Sequence, residues 1–143
     1  MDDLDRKVLA ALTADSAIST SRLARRLGVA RSTVQARIER LERSGTIAGY
    51  TIRLGAPQEA ARIRATALVQ VEPRATASVL QRLRPLPEIE ACHTTTGRVD
   101  LIVQINAETT EALDATLDRS GAVPGVRSTE SLIHLSTKFD RRA

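Results

Sequence analysis

The chain is almost without aromatic residues. Tyr50 and Phe139 are its only two, 1% of 143 residues, and there is no Trp. Its core must be assembled from Leu, Ile, Val and Ala, and walls for an aromatic cofactor pocket are missing. There is one cysteine, Cys92, which excludes an intrachain disulfide and any cysteine-based metal cluster. Cys92 reads as a buried strand thiol, with no basic cluster near it in sequence to activate it. No apolar run approaches the roughly 18 residues that a membrane span needs, and no basic-apolar-small leader opens the chain. A cytoplasmic protein with no membrane partner is expected. Histidines are scarce too: His93 and His134 both fall in predicted strands, where lone histidines are usually structural. No nucleophile setting, no metal-ligand spacing and no glycine-rich phosphate loop is present, since Gly97 stands alone. The expectation is no metal, no cofactor and no enzymatic activity.

What is present is a charge asymmetry. Residues 1–54 hold 10 Lys/Arg against 6 Asp/Glu, whereas residues 55–143 hold 11 of each. The net charge of +4 thus lies entirely in the first third, and Arg22 to Arg43 carries seven arginines against Glu39 and Glu42. A basic patch beside a neutral remainder suggests a polyanion-binding module joined to something else.

The first third reads as three helices. Asp3 precedes a stripe of Leu4, Val8 and Leu12, and acids there suit the helix dipole. After a turn at Asp15–Ser19, Thr20 is placed to cap a second helix with Leu23, Ala24 and Leu27 inward, stopped by Gly28. A third helix buries Val34, Ile38 and Leu41 and ends at Gly45, which with the tight turn before it makes a helix-turn-helix. Projected at 100° per residue, its outer face carries Ser32, Ala36, Arg40 and Arg43, flanked by Thr33, Gln35 and Arg37. Short side chains let a helix enter the major groove, and Gln and Arg pair with base edges. Ser32, Thr33, Gln35, Ala36 and Arg40 are the expected readers. Arg22, Arg25, Arg26, Arg31, Arg37 and Arg43 are expected on or near phosphate. Arg40 is open to either a phosphate or a base role. Ser32 and Gln35 have capping-box spacing, so the helix is open to a start two residues late, with Arg31 in the turn.

The strings Leu4–Leu9, Leu23–Val29 and Ser32–Tyr50, above all the ending RLERSGTIAGY, resemble the N-terminal domain of the Lrp/AsnC (feast/famine) family of bacterial and archaeal transcription regulators. Ala30 stands where that family often has Ser. The next segment, Ile47–Leu54, alternates loosely as a strand, and Gly55-Ala56-Pro57 breaks it. The resemblance implies that Thr51–Leu54 pairs between subunits.

From Ala65 the period changes to two. Strands are expected at Ala65–Val71, Ile89–Thr95, Val99–Ile105 and Val126–Leu135. Helices are expected after Pro73, carrying Val79, Leu80 and Leu83, and over Glu108–Arg119. The order βαββαβ is a ferredoxin-like split unit. This half resembles the family's ligand-sensing RAM domain, through Thr96-Gly97-Arg98-Val99-Asp100 and Pro124-Gly125-Val126.

The expected fold class is α+β. A winged-helix-like helix-turn-helix domain (1–50) is followed by a linker strand and hinge (51–60), then a ferredoxin-like βαββαβ RAM domain (61–143). On the helix-free sheet face Leu68, Ile102 and Ile133 need a cover, and a second subunit provides one. The resemblance implies a regulator that binds double-stranded DNA at near-palindromic operators as a dimer or octamer. It also implies a small effector, an amino acid, held by Thr95, Thr96, Gly97, Arg98, Val99 and Asp100 at contacts between subunits. Asp100 has two open roles: partner of an ammonium, or acceptor of backbone N–H bonds that ties down its own turn. Two other classes remain in view. One is a tetrapyrrole-modifying decarboxylase of similar two-domain fold that uses histidines. The other is an architectural DNA-binding protein without an effector.

Overall fold

The structure, a computed structural model, describes residues Met1–Arg142. It divides into two compact units, one built on Met1–Arg53 and one on Leu54–Asp140.

The first unit is three helices: α1 (Asp3–Ala14), α2 (Thr20–Leu27) and α3 (Arg31–Arg43). Val8, Leu23, Ala24, Val34 and Leu41 form its buried centre, ringed by Leu4, Leu12, Leu27 and Ile38 among others. Fully burying a Val or Leu side chain stabilises by about 1.5–3 kcal/mol, and the helix ends add to this small centre. Those ends sit one residue earlier than the sequence suggests. Asp2, not Asp3, caps α1 and exchanges a capping box with Asp5, and Ser19, not Thr20, caps α2. At the other end of α2, Val29 N–H donates to Ala24 O (3.0 Å) and Gly28 N–H to Arg25 O (3.3 Å), the paired bonds of a Schellman stop. The chain leaves that stop directly into α3. Arg31 is therefore its first residue, Ala30 caps it without a side-chain bond, and the Ser32–Gln35 box does not form. No strand forms over 47–54, because a strand needs a hydrogen-bonding neighbour and the single chain offers none there. Ile52 is 81% exposed.

The second unit opens with a short helix, α4 (Ala56–Ala60), where the sequence suggested only a break. Arg64 fastens that region, donating to Glu59 (2.6 Å) and to Glu90 (2.7 Å). Then follow β1 (Ile63–Val71), α5 (Thr76–Leu83), β2 (Ile89–Thr94), β3 (Leu101–Ala107), α6 (Thr110–Ala122) and β4 (Val126–Ile133). The sheet order is β2-β3-β1-β4 and the pairings are antiparallel. Alternation along β1 and β3 puts Ala65, Ala67, Val69, Leu101, Val103 and Ile105 on one face, packed against Val79 and Leu83 of α5 and Leu113 of α6. α5 starts three residues after Pro73 because Glu72–Ala75 closes a turn first, with Ala75 N–H on Glu72 O (3.0 Å) and Arg74 at φ 67°. α6 is capped by Thr109 and runs through Gly121, past its expected end.

One expected position on the helix-free face is corrected by register. Ile133 pairs with buried Ala65 and so lies on the helix side, whereas Leu132 pairs with Thr66. Leu132 therefore joins Leu68 and Ile102 on the open face.

Candidate nucleic-acid interface and effector turn

The first turn of α3 follows the glycine stop of α2, and Gln35 reaches back to Thr20 at the start of α2. Ser32, Gln35 and Ala36 are exposed and Thr33 is half-buried, as groove-reading positions require. Gln35 is oriented before any ligand arrives, since its amide donates to Glu39 (2.9 Å) and its carbonyl accepts from Thr20 Oγ1 (3.4 Å). Arg22, Arg25 and Arg26 on α2 and Arg31 and Arg43 on α3 are exposed, and among the described residues none has a carboxylate partner. Free guanidiniums on neighbouring helices suit a phosphate backbone.

Arg37 and Arg40 are placed differently from the sequence expectation. Both reach across to the first turn of α1. Arg37 donates to Asp2 and, at 3.2 Å, to Asp5; Arg40 donates to both Asp5 oxygens at 3.0 and 3.2 Å. Arg37 is the less exposed of the two arginines, and Asp5 is buried. The hydrogen bond from Arg37, helped by the Asp5 N–H, brings the Asp2 carboxyl down to about 2. Burial works against the charge on Asp5, yet the bonds from Arg37 and from the Asp2 N–H prevail and its carboxyl also lies below the ordinary range. The same bonds push Arg37 up. The sequence signal for this cluster was matched spacing, with acids at positions 2 and 5 and arginines at 37 and 40, each pair three residues apart.

The expected effector turn forms a hairpin end between β2 and β3. Thr95 N–H donates to Asp100 O (3.0 Å) and Thr95 Oγ1 to Val99 O (2.9 Å), so that hydroxyl is used internally. Thr96, Gly97 and Arg98 are exposed. Gly97 sits at φ 103°, where a side chain would be strained. Among the described residues, the N–H groups of Thr96, Gly97, Arg98 and Val99 meet no protein acceptor. Arg98 pairs with Glu130 across 3.3 Å of open surface.

Of the two roles left open for Asp100, its carboxylate does accept a backbone N–H bond, but from β1 and not from its own turn. Its N–H donates to Val69 O (2.9 Å), and its Oδ2 accepts the Val71 N–H (2.9 Å). It therefore braces β1, not its own turn. Val71 lies where the β1–β4 register shifts, which leaves that N–H in need of an acceptor.

His93 lies in β2 and His134 just past β4, where its Nε2 is 2.8 Å from Thr66 Oγ1. Cys92 is half-buried, and that burial pushes its thiol up. No group of three metal-ligating side chains occurs among the described residues, and no helix there is long and apolar enough to cross a membrane.

Comparison with known proteins covers both units. A family model for the AsnC-type helix-turn-helix domain matches residues 1–42, and one for the Lrp/AsnC ligand binding domain matches 64–143. The HTH-type transcriptional regulator FL11 of Pyrococcus furiosus is 32% identical over 94% of this chain and 89% of its own length. The HTH-type transcriptional regulator LrpA of Mycobacterium tuberculosis is 31% identical over 99% and 95%. Escherichia coli AsnC superposes with a TM-score of 0.88 at 25% identity, covering 100% of this chain and 97% of that one. A feast or famine regulatory protein from M. tuberculosis complexed with L-methionine superposes with a TM-score of 0.83 at 29% identity, covering 99% and 97%.

Proposed function

The chain belongs to the Lrp/AsnC family of transcription regulators, with a DNA-binding helix-turn-helix and a ligand-binding domain, and from that premise we propose how each unit does its work. Residues Ser32, Thr33, Gln35 and Ala36 of α3 read base edges in the major groove. Arg22, Arg25, Arg26, Arg31 and Arg43 hold phosphates on either side. The observation that carries this reading is the exposed, small-residue start of α3 among guanidiniums without carboxylate partners.

In the second unit the effector is an α-amino acid. The ligand-binding family match and the methionine bound to a structural neighbour support an amino-acid effector. We place its carboxylate on the N–H groups of Thr96–Val99, which meet no protein acceptor among the described residues. The chain works as a homodimer or a larger assembly. The helix-free face with Leu68, Ile102 and Leu132 is covered by another subunit, and Thr51–Leu54 finds its strand partner there. Effector bound at contacts between subunits then shifts the assembly equilibrium by no more than its differential affinity for the two states.

A thermal-shift screen of the twenty amino acids, run beside binding to the DNA upstream of the protein's own gene, tests both halves. At least one amino acid should raise the melting temperature and change both DNA affinity and assembly size. A screen in which none does so would remove the amino-acid effector and leave the DNA-binding role standing.

A further inference from the structure

Asp5 is the one buried carboxylate among the described residues, its side chain only 3% exposed. A buried charge is costly unless matched by partners. Here the partners are Arg37 and Arg40, both from α3, and the Asp2 N–H at 3.4 Å. Asp2 and Asp5 stand one turn apart on α1, and Arg37 and Arg40 stand one turn apart on α3. Beside the apolar packing of Val34 and Leu41, carboxylates and guanidiniums each spaced one turn apart tie both the distance and the rotation of α3 to α1. The apolar core that Val8 of α1 shares with Val34 and Leu41 of α3 supplies attraction without direction, and the ion pairs add the direction. Side chains that read bases must be held to within about 0.5 Å and 10–20°. On the same helix Gln35 and Ala36 lie within one turn of Arg37, and Arg40 follows about one turn further on.

We propose that Asp5, acting through Arg37 and Arg40, is a positioning residue for DNA sequence discrimination: it sets the roll of the recognition helix and withholds two guanidiniums from the phosphate backbone. The inference rests on α3 being the helix that reads DNA. It reverses the simplest expectation for Arg37 and Arg40, which is that arginines on a recognition helix grip DNA.

The test measures binding of the full chain to its own upstream DNA and to a scrambled duplex over a salt series, well below each variant's melting temperature. In Arg40→Gln the Asp5 carboxylate keeps Arg37, so the fold is retained. The discrimination between duplexes should fall about tenfold, while the slope of log K against log salt stays unchanged. A slope shallower by about 0.9 with discrimination intact would make Arg40 a phosphate contact and overturn the proposal. Asp5→Asn, of equal size, should lower discrimination similarly and steepen the slope by about one or two as the arginines are released. Unchanged discrimination in Asp5→Asn overturns it. Leu12→Ala loses stability without touching the network and should keep both readouts; if it lowers discrimination equally, stability and not positioning is the cause. Gln35→Ala separates the two levels. If it leaves discrimination intact, α3 is not the reading helix and both readings fall. If it lowers discrimination while Asp5→Asn does not, the positioning role alone falls.

Discussion

Asp100 shows how much one carboxylate can carry. Its Oδ2 ends the β1 ladder where the β4 register slips, 2.9 Å from Val71 N, while its backbone closes the hairpin onto Thr95. Asp100→Ala should therefore abolish the effector's influence on DNA binding and leave basal DNA affinity in place. Asp100→Asn, which keeps an acceptor oxygen for Val71, should retain most of the response. Titrating effector against DNA binding in both variants checks this. Equal loss in the two would mean that the negative charge itself meets the ligand. The sequence expectation put Asp100 inside a strand starting at Val99, whereas β3 starts at Leu101 and Asp100 stands just before it. Which group it serves was not legible, because Val71 is 29 residues away and becomes its neighbour only through β1–β3 pairing.

At the scale of elements, packing sets several boundaries that periodicity alone misplaces. Apolar stripes such as Leu4/Val8/Leu12 and the alternation in β1 identified the helices and strands, since burial writes its period directly into sequence. Caps were missed by one residue because Asp2 and Asp3, or Ser19 and Thr20, are chemically equivalent candidates. The Ser32–Gln35 box failed for another reason: the Schellman stop before it already fixes where α3 begins. Register decided between Leu132 and Ile133, which a one-residue uncertainty in β4 exchanges between faces. The entry to β4 is the most constrained junction. Gly125 has φ 101°, its carbonyl accepts the Glu72 N–H (2.7 Å), and a Cβ there would lie 2.8 Å from Ala75 Cβ and 3.2 Å from Val79 Cγ2. Gly125→Ala should destabilise the second unit by about 2–4 kcal/mol through strained backbone and overpacking against α5. Chemical denaturation of wild type and variant measures the difference, and a change below about 0.5 kcal/mol would contradict the close approach.

For the whole molecule, two units with separate cores need not lose stability under the same conditions. Asp2, held at about 2, and Asp5, held below its ordinary value, are depressed by Arg37. A depressed carboxyl stabilises the folded state above its unfolded pKa, near 3.8, and that contribution is lost as pH falls toward the folded value. Helical signal from the first unit should therefore weaken between about pH 4 and pH 2 in an acid titration followed by circular dichroism. Arg37→Gln should flatten the dependence in that window, and an unchanged profile would place the acid sensitivity elsewhere.

The carboxylate of Asp5 also bears on genetics. It lies about thirty codons upstream of Ser32–Ala36 and holds the helix on which they stand. A selection for altered promoter choice would return alleles at the start of the gene as well as in the recognition helix. Such a map, broken along the DNA, is continuous in space, and alleles at codon 5 would change operator preference without encoding any residue that touches an operator.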